Sequence, residues 1–113
     1  MGDEQIRARY EVGYLYRDAG NYKVRGQFVV RGYIDLETLR PFLFDEAWFV
    51  PERIGLPSLR SRETHGDDHL LHEFEEVTPY PGPEPGIPAG ELALRIREAG
   101  PGEAWFRGMW GIV

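Results

Sequence analysis

Three histidines, two aspartates and a glutamate fall within His65-Gly-Asp-Asp-His-Leu-Leu-His-Glu73, and these are all the histidines of the chain. Neutral imidazoles and carboxylates are suitable ligands for zinc, manganese or iron, so His65, Asp68, His69, His72 and Glu73 are the candidate metal ligands. Asp68 beside His69 or His72 offers a second chemistry, acid and base, because imidazole titrates near neutrality. Geometry decides between these uses. On a helix the spacing collects the three histidines on one face; on a strand His69 and His72 point to opposite faces and cannot share one ion without a bulge. The run is not H-E-x-x-H, and a solvated acidic loop is the commoner use of such a segment.

Other chemistries find less support. With no cysteine, the chain has no disulfide framework, thiolate metal site or thiol nucleophile. Ser58 and Ser61 are its only serines, neither within G-x-S-x-G, and no glycine-rich phosphate loop is present. The net charge of −6 is unevenly spread, +1 over residues 1–62 and −7 over residues 63–113. A net negative chain is not expected to bind nucleic acid in general, because phosphate neutralisation supplies most of that affinity. The expectation is a non-enzymatic protein-interaction or adaptor module without a cofactor. The alternative is a metal-binding protein or small metal-dependent enzyme that holds a divalent ion at residues 65–73.

The elements that must position these residues start with a long hairpin. Ile6, Ala8, Tyr10, Val12, Tyr14 and Tyr16 alternate with Arg7, Arg9, Glu11 and Arg17. After Asp18-Ala-Gly-Asn21 the alternation resumes, with Tyr22, Val24, Phe28, Val30 and Ile34 against Lys23, Arg25, Gln27 and Arg31. That is the period of a strand, with turn residues between. Even positions pair with even ones. Tyr16 opposite Tyr22 is preferred over Tyr16 opposite Val24, because the latter sets Arg9 against Arg31 and Arg17 against Lys23. The even face is expected to be core, including Tyr10, Val24 and Phe28, and the arginines of the odd face to be exposed.

Further on, Thr38 as N-cap places Pro41 in a first turn and predicts a helix over 38–47. The stretch from Trp48 to Leu59 reads as an apolar loop packed on the core, and residues 60–69 as a surface loop. Residues 70–78 fit both periods, and Val77-Thr78 before Pro79 favours a strand. Residues 79–88, half of them proline, form an extended connector. Pro88 and Gly100 bracket a helix over 88–99, and Ala104 to Val113 reads as a last strand. The expected fold is α+β, one domain over 1–113, with an antiparallel sheet and two helices on one face in the order ββαβαβ. The last strand has apolar residues on both faces. Trp105, Phe106, Met109 and Trp110 are therefore the candidate interaction surface, used for a protein partner or a homodimer. The opening Met1-Gly-Asp-Glu-Gln lacks a secretory layout, and no apolar run approaches the roughly 20 residues of a membrane span, so a cytoplasmic protein without a membrane partner is expected.

Overall fold

Apolar residues at every second position commit one face of residues 9–31 to the interior, and the hairpin follows. A computed structural model of the chain describes residues 8–17, 20, 22–60 and 70–106. In it β1 (Arg9–Arg17) and β2 (Lys23–Arg31) run antiparallel. Val12, Tyr14, Tyr16 and Val30 on the even face are buried, while Tyr10, Val24 and Phe28, expected to be largely buried, are half-buried. Leu15 and Val29 on the odd face are buried as well.

The faces agree with the alternation, but the register differs from expectation. Tyr16 lies opposite Val24, which sets Arg9 against Arg31 and Arg17 against Lys23. These like charges are tolerated because other segments take them up. Arg17 donates through Nε to Glu73 Oε1 at 3.1 Å, and Arg9 donates to the Glu84 carbonyl at 2.8 Å. Arg25, opposite Leu15, has its Nε 3.3 Å from Glu75 Oε1. Glu73 and Glu75 belong to β4 (His72–Pro79), which pairs with β1 on the side away from β2. The acidic third strand thus decides a register that the charges of the two hairpin strands alone disfavour.

Among the described residues, the sheet order is β3-β4-β1-β2-β5. The strand predicted over 70–78 is β4. Its pairing with β1 shifts between Val12–Val77 and Tyr14–Phe74, so Gly13 faces two residues. The end strands are β3 (Trp48–Phe49), antiparallel to β4, and β5 (Ile87–Pro88), parallel to β2. The sheet is thus mixed and not purely antiparallel. β5 comes from the end of the proline-rich connector, where Gly86 has φ +78° and a Cβ would lie 2.9 Å from the Val29 carbonyl oxygen. A side chain there meets both strain and a clash.

The first helix starts and ends earlier than the predicted 38–47. Asp35, not Thr38, is its N-cap: Oδ1 accepts from the Glu37 amide at 3.0 Å. α1 (Leu36–Leu39) gives way to a 3₁₀ turn at Arg40–Phe42, because Pro41 has no amide hydrogen to continue the α-helical ladder. Leu43 is extended, and the Phe44–Ala47 turn leads back into β3. A further 3₁₀ turn, Pro51–Ile54, interrupts the predicted apolar loop; Val50, Ile54 and Leu56 are nonetheless buried. α2 (Ala89–Ala99) matches the second predicted helix, with Pro88 as N-cap and Gly100 as C-cap.

The predicted last strand is not formed where the chain is described. Gly102–Phe106 is a 3₁₀ turn, and residues 107–113 lie outside the described residues. The element order is ββαβββα, not ββαβαβ, within the α+β class. Both helices lie over the even face: Leu39, Leu92 and Ile96 join Val12, Tyr14, Val30, Phe49, Val50, Ile54 and Trp105 in one core. No helix among the described residues is long and apolar enough to cross a membrane.

Trp105 closes this core. Its side chain is fully buried, and Nε1 donates to the Phe42 carbonyl at 2.7 Å. Trp105→Ala is expected to lower the unfolding free energy by about 3–5 kcal/mol in chemical denaturation. A loss near that of an exposed tyrosine such as Tyr33, below about 0.5 kcal/mol, would contradict this placement.

Candidate functional site

The strand conformation of β4 divides the histidine-rich segment. His72 points into the core and is fully buried; Glu73 points to the opposite face and pairs with Arg17. The His72 ring stands 4.9 Å from Tyr16, 6.0 Å from Tyr14 and 6.2 Å from Phe49, centroid to centroid. Nε2 accepts from the Leu59 amide at 3.1 Å, and Nδ1 lies 3.0 Å from the Leu70 carbonyl oxygen. An acceptor at Nε2 assigns the proton to Nδ1, which then donates to Leu70. Both ring nitrogens are engaged with the backbone. Through them the ring ties Leu59 and Leu70 to β4. His65, Asp68 and His69 lie outside the described residues, and among the described residues no three His, Asp or Glu are grouped to hold a metal ion.

Of the aromatic candidates, Trp105 is a core residue and is not available on a surface. Phe106 packs edge-to-face on Phe44 with centroids 5.3 Å apart, and Met109 and Trp110 lie outside the described residues. The two-faced apolar strand that motivated a homodimer is absent over Ala104–Phe106.

A different surface comes from the shortness of the end strands. β3 covers only Glu73 and His72 of β4. From Phe74 to Thr78, the edge of β4 turned away from β1 has no strand partner among the described residues. The same holds for β2, where β5 covers Val30 and Arg31 and leaves Lys23 to Val29 open. Open edges present amide and carbonyl groups in the pattern that another extended segment matches.

The two edges differ in what flanks them. Beside β4 runs a groove of about 250 Å³ between the strand and α1. Leu36, Leu43, Ala47 and Phe74 supply apolar walls, and Glu37, Glu46, Glu73 and Glu75 supply carboxylates, with Arg40 the one cation in the lining. At its rim, Asp45 and Glu46 have φ of 51° and 59°. The left-handed region costs a residue with a side chain about 1–2 kcal/mol. The turn thus holds an exposed acidic pair in a conformation usually left to glycine or asparagine. On the other face of the sheet, Leu15, Trp48 and Leu71 line an apolar crevice of about 260 Å³, flanked by the Arg17–Glu73 pair.

No family model, curated protein or solved structure matches this chain.

Sequence reasoning missed the β4 edge because two-residue strands leave no periodic signal. What was available was Glu73, Glu75 and Glu76 on a strand beside an arginine-bearing hairpin.

Two outcomes follow from this geometry. His72→Ala leaves the Leu59 amide and Leu70 carbonyl without their partner and should cost on the order of 3 kcal/mol in urea unfolding, without any dependence on added zinc. Tyr14 donates to the Pro57 carbonyl at 2.7 Å, and burial, with Glu52 adding to it, raises its pKa above 10.0. The fold therefore favours the neutral phenol. Its contribution is complete below the ordinary phenol pKa of about 10 and is lost as pH rises through the raised value. Phenolate absorbance should show a late-titrating tyrosine that Tyr14→Phe removes.

Proposed function

We propose that the protein is a non-enzymatic interaction module that takes an extended segment of a partner protein onto the open edge of β4. The observation that carries this reading is the two-residue length of β3, which leaves Phe74 to Thr78 unpaired on one side among the described residues. Strand addition uses such an edge for affinity through backbone hydrogen bonds, and flanking pockets for selection among side chains. The groove beside α1 supplies the pockets: Leu36, Leu43 and Phe74 take apolar side chains from one face of an added strand.

The scaffold suits the role. β1 and β2 hold β4 from the other side in a ladder that includes most of its length, so the edge is presented on a rigid element. Supporting residues are packed: Phe49 and Phe74 stack with centroids 3.9 Å apart and ring planes within 10°. That stack fixes the floor of the groove against the core.

Amide hydrogen exchange tests the reading. In the isolated protein the outward amides between Phe74 and Thr78 should exchange rapidly. A short neutral peptide of alternating threonine and valine, acetylated and amidated, should slow them by about tenfold or more at saturation. Slow exchange before any peptide is added would mean the edge is already paired. That result, or protection confined to other segments, would overturn the proposal.

A further inference from the structure

We infer that the segment this edge selects is basic: an extended strand carrying lysine or arginine at alternate positions. The inference rests on the strand-addition reading above and adds the chemistry of the partner. Four carboxylates and one guanidinium line the groove, and Glu46 at its rim has no ion pair among the described residues. Asp45 and Glu76, exposed beside it, are of the same sign.

The carboxylates that do have partners hold them loosely. The Arg17–Glu73 pair is exposed to 50% and 30%, Arg25–Glu75 to 63% and 32%, and Arg40–Glu37 to 51% and 76%. Ion pairs this exposed contribute little and exchange readily for a second cation. Alternation matches the spacing. Glu75 stands on the outer face of β4 inside the open stretch and Glu73 at its end, opposite Trp48 of β3; side chains two apart on an added strand lie on one face, where they meet Glu75 directly and reach Glu73 on the diagonal. The intervening residues of that strand face Phe74 and the apolar walls. An acidic strand meets the same carboxylates as like charges, which is unfavourable opposite one another.

Three short peptides, acetylated and amidated, decide the matter by titration against the whole chain, with amide exchange at Phe74–Thr78 as the locating signal. They alternate valine with lysine, threonine or glutamate. The lysine peptide should bind about tenfold more tightly than the threonine peptide and the glutamate peptide more weakly than either. Raising salt from about 0.05 M to about 0.5 M should remove most of that preference. Glu46→Gln combined with Glu75→Gln should bring the lysine peptide's affinity at low salt close to that of the threonine peptide. Equal binding of all three peptides, each protecting Phe74–Thr78, would overturn the charge preference and leave strand addition standing. Binding of the lysine peptide that survives N-methylation of its outward amides, or protects other segments, would overturn the inference. No protection by any peptide would overturn strand addition itself.

Discussion

The imidazole of His72 joins parts of the chain that are otherwise separate. Its two nitrogens hold the Leu59 amide and the Leu70 carbonyl, the residues that flank the 61–69 segment, while its ring lies among Tyr14, Tyr16 and Phe49. The 56–60 segment, β1, β3 and β4 meet at this ring. Leu59 also fills the space over Gly26 of β2, where a Cβ would lie 2.7 Å from Leu59 Cδ2. A buried polar ring satisfied on both sides fixes how the 56–60 segment lies on the sheet, since any other arrangement leaves polar groups without partners.

Around that point the sheet is built outward and then stops abruptly. The middle strands are eight or nine residues long and the end strands two. Proline accounts for part of this. Pro51 follows Val50 and turns the chain into a 3₁₀ helix just after β3, and Pro88 ends β5 where α2 begins. The core does not need longer end strands, because the even face is already covered by α1, α2 and the turn bearing Trp105.

How much of this was legible depends on the range of the physics involved. Period-two alternation identified the hairpin and its faces, because face assignment depends only on neighbours two apart. Register is not legible from the hairpin alone because Arg17 and Arg9, each opposite a like charge, are taken up by the Glu73 carboxylate and the Glu84 carbonyl, far away in sequence. The sequence offers Thr38 as the cap where Asp35 serves, and Pro41 limits the α-helix as well as constraining its start. The strand at 72–79 and the helix at 89–99 were legible from proline and glycine positions. The 3₁₀ turn around Trp105 was not, since alternating apolar residues there fit a strand until the Phe42 carbonyl is known to be within reach. The histidine cluster gave the sharpest chemical signal. For His72, the sequence carried no mark of the two backbone groups that engage it.

The open edge of β2 has a consequence of its own. It lies at the opposite end of the sheet from the groove, and Lys23 and Arg25 flank it where glutamates flank β4. Two ends of one sheet that differ in charge are complementary between molecules, and a contact from one end to the other is heterologous. It closes into a ring or continues as a filament according to the rotation it imposes. Salt that screens exposed charge weakens such a contact, and the like charges along each end work against pairing of one end with its own copy.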